Sequence, residues 1–266
     1  MVIGLIAGGG RFPVLFAESA RRAGHRVVAV GFVRQTAPEL AAAVDAFTPV
    51  KLGELGKAAT ALRRGGATAA VLLGSVAKGR FFRDAWLDAA GLQVIAQLAV
   101  RGDDSLLRGF ARWLEAQGLP VIDPTPFLQD RLAPEGVLGR HSPTDAEWED
   151  ARYGIRLARD VGRLDLGQTV VVKDGVAVAV EALEGTDACI RRGGELARDG
   201  AVVAKAVKPQ QDRRFDLPAV GPDTIEAMRE AKARVLAVEA GATLVMDREE
   251  LVRRADRARI AVVGVR

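Results

Sequence analysis

The chain has 266 residues, 49% of them hydrophobic, with 38 Lys and Arg against 34 Asp and Glu for a formal charge of +4. That apolar content suffices for one large or two modest cores and excludes a disordered chain. Its longest apolar runs, 176–180 and 260–265, fall far short of the roughly 20 residues a membrane-crossing helix needs.

Met1 is followed by Val-Ile-Gly-Leu-Ile-Ala, without the basic n-region and long apolar stretch of a secretory signal, which predicts a cytoplasmic protein. One cysteine, Cys189, excludes an internal disulfide framework and a cysteine-based zinc site. His25 and His141 have no zinc-ligand spacing, so a catalytic metal would be held by carboxylate and phosphate oxygens, as Mg²⁺ or Mn²⁺ is. A basic isoelectric point near 9.6 permits attraction to nucleic acid, anionic lipid or a phosphorylated small molecule. The arginines are dispersed in pairs such as Arg21-Arg22, Arg63-Arg64, Arg191-Arg192 and Arg253-Arg254. With one Tyr and three Trp there is no aromatic-interleaved basic stripe, and no nucleic-acid partner is expected.

In chain order, 2–7 reads as a buried strand, Gly8-Gly9-Gly10 as a turn, 11–23 as a helix ended by Gly24, and 25–32 as the next strand. A strand at 47–52, a helix at 55–64 and a strand at 69–73 continue the alternation and predict a parallel sheet covered by helices. Helices at 84–100 and 105–117 and a short last strand at 120–122 complete this N-terminal Rossmann-like nucleotide-binding domain, 1–132. Periodicity is lost where Pro134, Gly136, Gly139 and Pro143 cluster, which predicts a linker over 133–145. A smaller C-terminal α/β catalytic domain follows at 146–266. It opens with a helix at 145–161 and a hairpin, 170–173 and 176–180, whose Asp174-Gly175 suits a type I′ turn. Helices at 186–197, 223–233 and 248–257 then alternate with strands at 202–206, 235–238, 243–245 and 260–265.

The most informative segment is 205–221, Lys-Ala-Val-Lys-Pro-Gln-Gln-Asp-Arg-Arg-Phe-Asp-Leu-Pro-Ala-Val-Gly, dense in charge yet of neither helical nor strand period. Pro209 and Pro218 restrain its backbone. Lys205, Lys208, Arg213 and Arg214 can neutralise phosphate oxygens, Asp212 and Asp216 can hold a divalent cation, and Gln211 lies among them as a further substrate contact. Gly8, Gly9 and Gly10 lie where a strand feeds a helix, so their amides can approach an anion, although a tight strand-to-helix turn explains them as well. Gly74 and Ser75 follow a strand, and Asp103 and Asp104 precede a helix, both usual ligand positions in open α/β sheets. Helix capping accounts equally well for Asp104. Glu184, Gly185, Thr186 and Asp187 end the hairpin and open a helix, with Thr186 placed as N-cap and Asp187 in the first turn. Glu181 and Glu184 could accept from sugar hydroxyls or serve as outer ligands to a metal. Cys189 is expected to pack rather than react.

Together these residues resemble the bacterial UDP-2,3-diacylglucosamine pyrophosphatases of lipid A synthesis. The resemblance rests, in order, on Gly4-Leu5-Ile6-Ala7-Gly8-Gly9-Gly10 with Pro13, Gly102-Asp103-Asp104, residues 162–168 (Gly-Arg-Leu-Asp-Leu-Gly-Gln), Glu181 with 184–188 (Glu-Gly-Thr-Asp-Ala), Lys208-Pro209-Gln210, and Asp216-Leu217-Pro218. It implies two domains with a ligand cleft between them, and Mg²⁺-dependent attack of water on the α-phosphorus to release UMP and 2,3-diacylglucosamine 1-phosphate. It also implies an acylated sugar nucleotide as partner and transient contact with the cytoplasmic face of the inner membrane, and a homodimer is compatible with it. The essential aspartate of such enzymes maps onto Asp216, as metal ligand or as the group orienting water. Two alternatives are a non-catalytic binder of nucleotide or anionic lipid and a hydrolase of another UDP-sugar.

Overall fold

The computed structural model describes residues 1–75, 88, 105–215 and 217–266, apart from the side chains of 105–107. The helix expected at 84–100 is, save for residue 88, outside the described residues, as are Asp103, Asp104 and Asp216. The chain divides into two compact units, Met1–Leu128 with Arg213–Phe215, and Gln129–Asp212 with Asp216–Arg266. Among the described residues no helix is long and apolar enough to cross a membrane.

Unit 1 is built on four parallel strands, β1 (Val2–Ala7), β2 (Arg26–Phe32), β3 (Ala46–Val50) and β4 (Ala69–Leu73), in the order β3-β2-β1-β4. Helix α1 (Phe12–Arg22) follows β1, a single turn α2 (Leu40–Ala43) precedes β3, and α3 (Leu55–Arg64) and α4 (Ser105–Ala116) complete the unit. Alternate strand residues Ile6, Val28, Val30, Ala70 and Leu72 form one buried face with Leu62 of α3 and Phe110 and Leu114 of α4. Helix α1 packs on β1 and β2 without entering that cluster, so the sheet is covered on both faces and its strands read as continuous apolar runs. The capping carboxylate of α3 comes from far along the chain, for Asp88 Oδ2 accepts from the amides of Gly56 at 2.7 Å and Lys57 at 3.3 Å. The strand expected at 120–122 is reduced to a bridge between Val121 and Ala70. Pairing stops there because Pro124 has no donor and the Thr125 amide turns back onto Asp123 Oδ1 at 2.7 Å.

In unit 2 a six-stranded mixed sheet runs β5 (Gly136–Val137), β12 (Ala261–Val265), β10 (Val235–Glu239), β8 (Val202–Lys205), β6 (Thr169–Lys173) and β7 (Val176–Val180) in spatial order, with a separate short pair β9 (Ala219–Val220) and β11 (Leu244–Val245). Strands β8, β10 and β12 are mutually parallel, while β6 runs antiparallel to β8. Helix α5 (Asp145–Arg163) covers one face, where Ala151, Ile155 and Ala158 meet Val170, Val172, Val202, Ala204, Val235 and Val263. The intervening residues Val171, Val203, Leu236 and Val262 point the other way, onto α6 (Thr186–Ala197), α7 (Pro222–Glu230) and α8 (Arg248–Ala258). This gives a three-layer sandwich, with each fully buried Ile or Leu contributing roughly 1.5–3 kcal/mol.

Local signals explain the edges. Thr144 and Glu147 form a reciprocal capping box at the start of α5. Asp174 and Gly175 have φ of 50° and 77°, as a type I′ turn requires, and their amides donate to the Asp150 carboxylate at 3.0 and 2.7 Å. The segment read as a linker, 133–145, lies within unit 2 and supplies β5, paired antiparallel to β12. The close approach there depends on Gly264, where a Cβ would lie 1.8 Å from Pro134 O.

Candidate functional site

The charged segment begins at Lys205, the last residue of β8, which pairs with Thr169 on β6 and Val238 on β10. Its side chain is drawn inward, leaving the residue 7% exposed. Nζ donates to Thr186 Oγ1 at 3.2 Å and to Ala219 O at 3.0 Å. Thr186 Oγ1 in turn donates to Glu181 Oε1 at 3.1 Å and lies 3.5 Å from Thr169 Oγ1. The other oxygen of Glu181 accepts from the Gln168 amide at 3.3 Å. An ammonium at the end of β8 and a carboxylate just past β7, both buried, are thus linked through one hydroxyl, which offsets part of their desolvation. Gly167 permits this closeness, because a Cβ there would stand 2.1 Å from Glu181 O.

Thr186 is therefore not the N-cap expected from sequence. Gly185, at φ 82°, takes the cap position, and Thr186 enters the first turn of α6 with its hydroxyl turned toward Glu181 and Lys205. Asp187 stays exposed in that first turn, where its charge complements the helix dipole. Glu184 does not join Lys205. It accepts from Arg192 at 2.5 Å and from the Ala182 amide at 3.1 Å, and the Arg192 guanidinium holds its carboxyl below the usual range.

Beyond Lys205 the segment docks on the end of α5. Lys208 Nζ donates to Asp165 Oδ1 at 2.9 Å, Gln210 Nε2 donates to Gly162 O at 2.6 Å, and Gln211 Oε1 accepts from the Lys208 amide at 3.2 Å. Gln168 Oε1 and Gln211 Nε2 are buried without a hydrogen-bond partner among the described residues, an acceptor and a donor that water or ligand would satisfy. Arg214 belongs to unit 1, although the sequence places it in the C-terminal domain. There it pairs with Glu115 at 3.3 Å and lies 5.0 Å above the ring of Phe215, which packs on that unit's core.

Gly8, Gly9, Gly10, Gly74 and Ser75 do come together, at the carboxyl ends of β1 and β4. The amide of Gly8 donates to Leu73 O and that of Gly9 to Ser75 O, each at 2.7 Å, and the amide of Ser75 returns to Gly9 O at 3.1 Å. Two of the three glycine amides expected to approach an anion are thus committed to the protein. Close crossing explains the glycines, since a Cβ on Gly8 would lie 2.6 Å from Ser75 O and one on Gly74 2.7 Å from Gly9 O.

From sequence, Glu181 reads as an acceptor for sugar hydroxyls or an outer metal ligand and Asp165 and Gln168 only as members of a family motif, while Arg159 and Glu239 are missed. Glu239 carried a signal, being a carboxylate that ends the buried run Val235–Val238 at the level of Lys205. Cys189 is fully buried, and burial pushes its thiol up to about 12, which suits packing rather than nucleophilic chemistry.

A two-unit α/β protein with a buried lysine at the carboxyl end of β8, a central strand of its second, mixed sheet, has the form of an enzyme acting on anionic groups. Two family models match, the LpxI N-terminal domain over residues 2–131 and the LpxI C-terminal domain over 134–263. The chain belongs to the LpxI family. A relative from Caulobacter vibrioides, UDP-2,3-diacylglucosamine pyrophosphatase LpxI, is 38% identical, the match covering 99% of this chain and 97% of the relative. Solved structures resemble it only remotely. An L-amino acid ligase from Bacillus licheniformis is 16% identical with a TM-score of 0.28, covering 69% of this chain and 39% of the ligase. An N5-carboxyaminoimidazole synthetase from Staphylococcus aureus is 13% identical with a TM-score of 0.26, covering 76% and 45%.

Proposed function

We propose that this chain hydrolyses the diphosphate of UDP-2,3-diacylglucosamine in lipid A biosynthesis. Water attacks the α-phosphorus and the bond from that phosphorus to the bridging oxygen breaks, giving UMP and 2,3-diacylglucosamine 1-phosphate. The observation that carries this reading is the 38% identity, end to end, with a protein named for that pyrophosphatase activity. The buried Lys205 supports it, because a fixed cation at strand ends stabilises the charge that develops on a diphosphate as it is attacked. Lys208, tethered by Asp165, adds a second cation along the same segment.

Among the described residues no three His, Cys, Asp or Glu side chains stand close enough to hold a metal ion. A protein cage is not required, since Mg²⁺ commonly binds through one or two carboxylates, waters and substrate phosphates. Mg²⁺ or Mn²⁺ bound in that way, with Asp216 as the carboxylate, would screen the phosphate charge and polarise a phosphoryl oxygen. The proposed setting is the cytoplasm with transient contact to the inner membrane, because the substrate carries two acyl chains.

Purified protein given UDP-2,3-diacylglucosamine and Mg²⁺ should release UMP, and Asp216→Ala should lower turnover by about 10³-fold or more. Turnover equal in wild type and Asp216→Ala sinks the role of Asp216. Ligand-induced thermal stabilisation without UMP release in any metal points instead to a non-catalytic binder, and UMP release from a different UDP-sugar alone points to another substrate.

A further inference from the structure

We propose that Glu239 and Arg159 act as positioning residues for the segment that follows β8, holding Lys205 and Lys208 in register for the diphosphate; this rests on the function proposed above. Glu239 ends β10, and its carboxylate serves two elements at once. Oε1 accepts from Arg159 Nε at 3.1 Å and Nη2 at 2.8 Å, while Oε2 accepts from the Val207 amide at 2.8 Å. Arg159 projects from α5, and Val207 lies two residues past Lys205. The Glu239 side chain is 17% exposed and that of Arg159 32%, and two guanidinium N–H groups converge on one carboxylate oxygen, so the pair is sheltered and doubly hydrogen-bonded rather than a mobile surface contact.

The rest of the docking follows the same helix. Gly162 O receives Gln210, Asp165 receives Lys208, and Gly162 lets the chain pass so closely that a Cβ would stand 3.1 Å from Lys208 Cα. Residues 208–211 are therefore fastened to the last turn of α5 and the residues just past it. Nearer Lys205, the Ala206 amide donates to Gln168 O at 3.0 Å, and Glu239, held by Arg159, is the side-chain fastening closest to Lys205 in sequence. Both carboxylate oxygens are required. An amide at 239 presents one oxygen and one NH₂, so whichever way it turns, a donor faces either the Val207 N–H or the guanidinium.

The test compares wild type, Glu239→Gln and Arg159→Lys by UMP release, by hydrogen exchange at the Val207 amide, and by thermal midpoint. Glu239→Gln is expected to speed exchange at Val207 and to lower kcat about 10- to 100-fold with KM changed less than about threefold, as misplacement of a reacting group does. Arg159→Lys keeps the charge but loses the fork and should fall between the two. A kcat within about twofold of wild type while the Val207 amide opens overturns the proposal, as does loss of kcat with that amide still protected. A loss explained by a collapse of the thermal midpoint in Glu239→Gln, with Arg159→Lys normal in kcat and exchange, also overturns it. If wild type releases no UMP, the assigned reaction fails by itself, and protection of Val207 that is unchanged in Glu239→Gln rejects the anchor independently.

Discussion

Lys205 Nζ stands 3.2 Å from Thr186 Oγ1, so the last residue of β8 and the first residue of α6 share a hydrogen bond that continues to Glu181. Thr186→Val keeps the shape and removes the hydroxyl, leaving the buried Lys205 and Glu181 each short of one bond. It should cost about 1–3 kcal/mol of stability and impair UMP release, whereas Thr186→Ser should retain most of both. Denaturant unfolding and a UMP assay on the two variants decide this, and a Val variant as stable as the Ser variant counts against the linkage.

Lys205→Met removes the buried cation at similar length. If the ammonium stabilises charge on the diphosphate, turnover should fall by about 10²–10³-fold. Titrating the variant with substrate separates binding from chemistry, and wild-type kcat would remove Lys205 from the reaction.

The glycines of unit 1 should rank by geometry. Gly8→Ala meets the backbone of Ser75 and Gly74 and should cost about 1–3 kcal/mol. Gly74→Ala adds a φ of +91° to a clash with Gly9 O and should cost at least as much. Gly10→Ala has open space and only its φ of +87°, for roughly 1–2 kcal/mol. Thermal midpoints check the order, and Gly10→Ala as the worst of the three would contradict it.

Cys189 should resist thiol reagents in the native state at pH 8 and react on unfolding. Its folded pKa lies above the ordinary value of 9.0, at about 12, because burial disfavours the thiolate. Between those values the unfolded chain binds fewer protons than the folded one. This group therefore makes stability fall as pH rises above 9, by up to about 1.4 kcal/mol per unit. Replacing Cys189 with Ala should flatten that slope in denaturant unfolding followed between pH 8 and 10.

Asp150 ties the hairpin turn to α5. Asp150→Ala leaves the Asp174 and Gly175 amides without their acceptor and should cost about 1–3 kcal/mol, with faster exchange at those two amides than elsewhere in β6 and β7. Unchanged exchange at both would show that the turn stands without Asp150.

Much of this protein was legible in one dimension. Apolar runs bounded by glycine marked β1, β2 and β4, helical spacing marked α3 and α5, and Asp174-Gly175 marked the hairpin, because each pattern is set by neighbours a few residues apart. Two-residue strands such as β5 and β9 escaped notice, since so short an element has no period and exists only through its partner. The ordered motifs, from the glycine turn to Lys208-Pro209-Gln210, were enough to indicate the family.

What the sequence alone could not decide was which side chains share a site. Thr186 looked like a helix cap and Glu184 like a ligand, yet the fold turns Thr186 onto Lys205 and gives Glu184 to Arg192. Asp88 caps a helix whose start lies more than thirty residues away, and Glu239 receives both Arg159 and Val207 from distant elements. Local pattern determines whether a segment becomes helix or strand, whereas a carboxylate's partner depends on which donors the packed sheet brings within about 3 Å, and that is settled only when the layers close.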